Sequence, residues 1–221
     1  MANICRFSLK NNYFKPERHF PSSDAMIRQK IEAELEKMAK DSGSSAFVPI
    51  EPSKVITTHW VRQRCQFGCK HYGERLTCPP YSPTPEDTRR VLDEFEIAYL
   101  IKYDGFLGLD TYPPQSLTGA VKKASLKACD AGFDMERHAF LSGYYKAFLY
   151  GAHRCYRCEV CALDEGRTKC KLPVKARPSM ESAGIDVFAT AKNAGIEMRV
   201  LTDKKVVTPE MMPTFMLLLL E

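Results

Sequence analysis

The sequence predicts an α/β fold, with α+β as the other form: a mixed sheet of about four strands, flanking helices and a cysteine-rich cluster-binding module. Three observations carry that expectation. Apolar residues recur at helical spacing between Ser23 and Lys40, and compact apolar runs at Ile97–Tyr103 and Thr214–Leu220 have the length and content of buried strands. Helical and extended signals then alternate along the chain.

Residues 1–20 show no period, and Cys5 stands alone among them. From Ser23 to Lys40, Ile27, Ile31, Leu35 and Met38 share a face and Ser23 can cap the first amides, which predicts an amphipathic helix. Asp41-Ser-Gly-Ser-Ser ends it. Phe47–Ile50 extends briefly, confined to a sheet edge because Pro49 has no amide to donate. The β-branched cluster Val55-Ile56-Thr57-Thr58 predicts a strand over Lys54–Val61 that delivers the chain to Cys65. Thr84-Pro85-Glu86-Asp87 combines a capping hydroxyl, a first-turn proline and acids at the positive helix end, so a helix is expected from Pro85 to Glu94.

After the Ile97–Tyr103 strand, Gly105–Pro114 reads as a turn-rich loop. A helical region is expected from Ser116 to Tyr150, interrupted near Ala131-Gly132. Cys129 is a core residue there, and Phe140, Tyr144, Ala147 and Phe148 form an apolar stripe. Gly143 in a helix would cost about 1 kcal/mol relative to alanine, which implies close approach by another backbone. Ser179-Met180-Glu181-Ser182 opens a helix over part of Glu181–Asn193, which Gly195 ends. Ile196–Leu201 and Thr214–Leu220 read as strands, with a turn at Thr202–Lys205.

The 221 residues suit a single domain over 1–221, with cysteine-rich segments at 62–83 and 151–182 within it. Hydrophobic residues make up 44% and charged residues 27%, a balance that excludes extensive disorder. No apolar run follows the N-terminal charges, which argues against a secretory signal and for a cytoplasmic location. The apolar tail Met211–Leu220 is broken by Pro213 and falls short of the roughly 20 residues a bilayer span needs. No membrane association is expected. The net charge of +5 comes without a basic block interleaved with aromatics, so no nucleic acid is expected as a partner. Phosphate-binding glycine loops, dinucleotide fingerprints and serine nucleophile elbows are missing.

The chemistry lies in the cysteines, nine in all, which in a reducing compartment are metal ligands or core residues before they are disulfides. Cys155-Tyr-Arg-Cys158-Glu-Val-Cys161 places thiols at every third residue, with Cys170 beyond. Such thiols converge only where the backbone turns tightly around one point. The bacterial ferredoxin run has the same paired gaps before a distant fourth cysteine, whereas zinc sites favour two separated pairs. The spacing therefore favours a 4Fe-4S cluster, with Zn2+ as the alternative. Upstream, Cys65-Gln-Phe-Gly-Cys69 and Cys78-Pro79-Pro80 form a second ligand loop, free to bend at Gly68 and barred from regular structure by the prolines.

Seven thiols allow one or two clusters. Cys155, Cys158, Cys161 and Cys170 can hold one, leaving Cys65, Cys69 and Cys78 as a three-thiol site with one iron open; alternatively Cys78 completes the downstream run. His71 and His153 read as supporting or surface residues rather than ligands. Arg154, Arg157, Arg167, Lys169, Lys171, Lys175 and Arg177 flank the downstream cysteines, where they could raise a cluster's potential, steer an acidic partner or simply form a solvated basic face.

Together, Cys65, Cys69 and Cys78-Pro79-Pro80, Gly143-Tyr144, Cys155-x-x-Cys158-x-x-Cys161, Cys170 and the run Arg177-Pro-Ser-Met-Glu-Ser-x-Gly184-Ile-Asp-Val187 resemble the predicted metal-binding proteins called domain of unknown function 2284. The resemblance covers roughly residues 50–221. It implies a prokaryotic, often anaerobic source and a bound cluster, and supplies no reaction. In the Arg177–Ser182 run, Arg177 or Glu181 could contact a substrate and Ser179 could donate to a cluster sulfur, or the run is a rigid turn with a helix cap. The expected function is an iron–sulfur redox or electron-transfer accessory of anaerobic metabolism, with a redox protein as partner. An enzyme with an open iron and a structural zinc interaction module are the alternatives. Oligomeric state is left open.

Overall fold

The computed structural model describes residues 24–104, 117–198 and 213–221. Cys5, the 105–114 loop and the turn at 202–205 lie outside them, as do residues 199–201. The regular elements are α1 (Asp24–Ser42), β1 (Ala46–Ile50), α2 (His59–Gly68), α3 (Pro85–Leu92), β2 (Ile97–Tyr103), α4 (Leu117–Leu141), β3 (Ala147–Tyr150), α5 (Val187–Asn193) and β4 (Thr214–Leu220).

The strands form one four-stranded sheet in the order β1-β2-β4-β3. Among the described residues every strand pairing is antiparallel, so the expected helices and four-stranded sheet are present there in the α+β form. β4 lies between β2 and β3, with Tyr99 opposite Leu218 on one side and Leu149 opposite Leu218 on the other. Side chains alternate across a strand, and here both faces are covered. Met216, Leu218, Leu220, Tyr99, Ile101 and Tyr103 pack with Ile31 and Leu35 of α1 and Met135 of α4. Leu217, Leu219, Leu100 and Tyr150 pack on the other face with Leu92 of α3, Ile185 and Ala191. A strand buried on both faces gains nothing from polar alternation, which explains the unbroken apolar run Phe215–Leu220.

Local chemistry accounts for the helix ends. At α3, Thr84 Oγ1 accepts from Asp87 N at 3.1 Å while the Asp87 carboxylate accepts back from Thr84, a reciprocal cap with Pro85 in the first turn. Asp186 Oδ1 accepts from Ala189 N at 3.0 Å and starts α5.

Three expectations are overturned. The Lys54–Val61 strand is reduced to a single bridge, Thr57 with Ile185, and α2 instead carries the chain to Cys65. The helical region does not reach Tyr150: α4 runs through Gly132 unbroken and ends at Leu141, and Ala147–Tyr150 pairs with β4. Gly143 belongs to the turn between them, with φ +113°, a left-handed conformation that glycine adopts without steric cost. Of the expected strand over Ile196–Leu201, residues 196–198 are not part of a strand and the remainder lies outside the described residues. Among the described residues no helix is long and apolar enough to cross a membrane.

Candidate metal centre

The Arg177–Val187 run holds both cysteine-bearing segments. At one end Gly151 N donates to Pro178 O at 2.8 Å and Met180 N donates to Gly151 O at 3.2 Å. The loop carrying Cys155, Cys158, Cys161 and Cys170 is thus an excursion from β3 whose two ends are tied together. At the other end Thr58 N donates to Gly184 O at 2.8 Å and Asp186 N donates to Ile56 O at 2.7 Å, just before α2 begins. One rigid strip therefore sets where both groups of thiols lie.

Cys155, Cys158, Cys161 and Cys170 line one small cavity together with Arg75, Leu76 and Thr77 of the upstream loop. Asp164 Oδ2 accepts from Cys161 N at 3.0 Å and from Arg75 Nη1 at 3.2 Å. A second tie runs through Glu74, which accepts from Arg154 Nη1 and pairs with His71 Nδ1, each at 2.8 Å. Burial pushes the Cys155 thiol up, a backbone hydrogen bond from Arg157 opposes the rise, and the Cys170 and Cys158 thiols add to it.

In the upstream group Cys65 lies on α2 and Cys69 follows its last residue, Cys69 N donating to Cys65 O at 3.3 Å. Arg62 Nη1 donates to Ser82 Oγ at 2.6 Å and to Ser182 O at 2.7 Å, and Ser82 Oγ donates to the same carbonyl. These bonds fold the Cys78-Pro79-Pro80 loop back against α2. Burial pushes the Cys78 thiol up to about 11, and the Cys65, Cys69 and then Cys155 thiols add to the rise. Burial also raises the Cys65 thiol, with Cys69 and Glu181 adding to it and Arg62 and Arg64 opposing.

All eight described cysteines are free thiols. Among the described residues no three His, Cys, Asp or Glu side chains are grouped as a ready site for a single ion, while the four downstream cysteines line one cavity. Two buried donors, Arg75 Nε at this cavity and Arg154 Nε at a neighbouring one that Cys155 also lines, have no hydrogen-bond partner among the described residues. Sulfur donors on one cavity and donors still to be satisfied around it fit a thiolate-held group. A family model described as "Predicted metal-binding protein (DUF2284)" matches residues 48–220. The chain belongs to that family. No curated protein and no solved structure matches it.

The other residues singled out in this metal-binding protein have defined places. Arg177 grips Glu136 with two nitrogens, Nε to Oε2 at 2.8 Å and Nη2 to Oε1, and Glu136 Oε2 also accepts from Leu149 N at 2.9 Å. Arg177 therefore ties the strip to α4 and β3. Ser179 Oγ accepts from Ser182 N at 3.1 Å, the geometry of a capped turn. Among the flanking bases, Arg154, Arg157, Lys171, Lys175 and Arg177 each pair with a carboxylate, so the region is a set of ion pairs more than a bare positive field. His153 Nε2 lies 3.1 Å from Thr214 Oγ1. Cys129 is a core thiol whose Sγ lies 3.6 Å from Ala152 O. Arg62, Glu74, Arg75, Ser82 and Asp164 escaped the sequence reading, because their partners are distant in the chain and no spacing rule marks them.

Proposed function

We propose that this metal-binding protein is an iron–sulfur protein, a redox or electron-transfer accessory of anaerobic metabolism. Cys155, Cys158, Cys161 and Cys170 hold one 4Fe-4S cluster, and Cys65, Cys69 and Cys78 hold a second. The observation that carries this reading is that four thiols with ferredoxin-like spacing line one cavity. Bound there, a cluster would supply one-electron transfer at a potential set by hydrogen bonding, charge and exposure. Arg75 offers its unpartnered Nε at that cavity, a donor that would offset negative charge on the sulfurs. Val160, Leu172 and Val174 are exposed on the same loop and give a redox partner an apolar surface close to the thiols.

Anaerobic reconstitution with iron and sulfide, followed by visible and electron paramagnetic resonance spectra, tests the proposal. Broad absorption near the blue end and a reduced-cluster signal are expected. A colourless protein that holds stoichiometric zinc after anaerobic purification rejects it in favour of a structural zinc module.

A second reading, an enzyme, is favoured by one observation: Cys65 and Cys69 also line a separate cavity of about 540 Å³. Three thiols leave one iron of a cluster without a cysteine, and that iron could act as a Lewis acid toward a ligand in the cavity. Spectra showing four cysteine ligands on each cluster would reject the enzymatic reading and leave the redox one standing.

A further inference from the structure

The 540 Å³ cavity is lined by both charged and apolar groups, and together they define what it can hold. Small-molecule sites span roughly 300–1,000 Å³ and combine apolar walls with a few polar groups that orient the ligand. Here Val61, Ile185, Val187, Phe188 and Phe215 supply the walls and Trp60 an exposed aromatic face, with Cys65 and Cys69 on the remaining side.

Most of the polar lining is already engaged. Asp186 accepts from Ala189 N through one oxygen and from Trp60 Nε1 through the other, at 3.0 and 3.1 Å. Thr214 Oγ1 is within 3.1 Å of His153 Nε2. Arg64 differs: its guanidinium lies 5.6 Å from the centre of the Trp60 ring, and among the described residues no carboxylate forms an ion pair with it. A guanidinium whose charge is not taken up by a carboxylate of the protein has its N–H fork available for a planar oxyanion. Glu181 lines the same cavity and disfavours a second negative group on the ligand.

We propose that this cavity binds a small organic monocarboxylate with an apolar body. Arg64 pairs with the carboxylate, and Trp60 and Phe188 cover the body beside Cys65 and Cys69. The inference holds whichever metal the thiols take. Failure to load iron leaves the cavity testable, and failure here leaves the cluster spectra unaffected.

Trp60 is the only tryptophan in the chain and reports directly on occupancy. The anaerobically purified full chain is titrated with 3-phenylpropionate, 3-phenylpropanol and phenylsuccinate, following Trp60 fluorescence and calorimetric heat in parallel. The monocarboxylate should give a saturable response, with both the alcohol and the dicarboxylate at least about tenfold weaker. A loss of about tenfold corresponds to 1.4 kcal/mol. Arg64→Gln should abolish the preference of acid over alcohol, whereas Arg167→Gln should leave it unchanged. No saturable response, equal binding of acid and alcohol by the unmodified protein, or an acid preference that survives in Arg64→Gln would each overturn the proposal. The comparison of ligands on the unmodified protein needs no variant to fold.

Discussion

Arg75 and Cys161 meet on one carboxylate oxygen: Asp164 Oδ2 accepts from the guanidinium at 3.2 Å and from the backbone amide at 3.0 Å. Arg75 and Asp164 are 89 residues apart, so this oxygen joins the upstream cysteine loop to the turn that carries the third downstream thiol. Asp164→Ala should release both. Because Asp164 is partly exposed, with 44% of its side chain accessible, the cost in stability should be modest, about 1 kcal/mol. The larger effect should fall on metal content. Iron and sulfide per chain should drop by half or more after reconstitution while circular dichroism stays unchanged; full occupancy in the variant would show that the junction does not position Cys161.

Cysteine substitution separates ligands from core thiols. Cys158→Ser should lose the downstream cluster's visible absorption, since Cys158 lines the four-thiol cavity. Cys129→Ser should keep it, because the Cys129 thiol is turned toward Ala152 O. Equal losses from the two would mean that the ligands are misassigned.

The sequence made some of this legible and hid the rest for physical reasons. The α3 cap and the two inner strands are local patterns, and each is found where those patterns place it; the cysteine spacing is local too, and its four downstream thiols line one cavity. The β-branched residues before Cys65 misled, because Val55 is spent on the core and Thr57 on one bridge before α2 starts at His59. β3 was hidden because Phe148 and Leu149 continue an apolar run out of α4, and only the left-handed turn at Gly143 separates the two. Arg75–Asp164 and Arg177–Glu136 are tertiary pairs that no spacing rule reports.

Glu136 holds Arg177 and the Leu149 amide together in a nearly buried site, its side chain 11% exposed. Removing one partner of a buried pair leaves the other charge uncompensated, at about 3–5 kcal/mol. Glu136→Ala should lower the urea midpoint accordingly, and Arg177→Lys should do so in part, since an ammonium cannot reproduce the two-pronged grip. A midpoint within experimental error of the unmodified protein would mean that the pair carries no net stabilisation.

Metal loading should depend steeply on pH. Burial raises the Cys65, Cys78 and Cys155 thiols, Cys78 from its ordinary 9.0 to about 11, so at neutral pH they are protonated and a metal must displace those protons. Apparent affinity should therefore rise as pH increases from 7 to 9, with protons released on loading in weakly buffered solution. The metal-free protein should respond in the opposite sense. A raised thiol pKa contributes stability that is present below the unfolded value and lost as pH climbs through the folded one, so its unfolding free energy should fall between pH 9 and 11. Metal affinity that does not change with pH would show that the thiols are already ionised when the metal arrives.

Gly184 ends the turn after Glu181–Ala183 with φ +80°, and its carbonyl accepts from Thr58 N at 2.8 Å. A methyl group there would stand 2.6 Å from Pro85 Cγ and 3.2 Å from Pro85 Cα, so the backbone of α3 would have to move as well as a ring atom. Left-handed strain of about 1–2 kcal/mol and an overpacking cost of about 1–3 kcal/mol act together. Gly184→Ala should destabilise the fold by about 2–5 kcal/mol in urea, and because the strip sets both thiol groups, reconstituted iron should fall too. Gly166→Ala, also left-handed at φ +71° but with no atom within 4 Å of the added carbon, should show the conformational strain alone. Equal destabilisation in the two variants would show that contact with Pro85 does not fix the position of the strip.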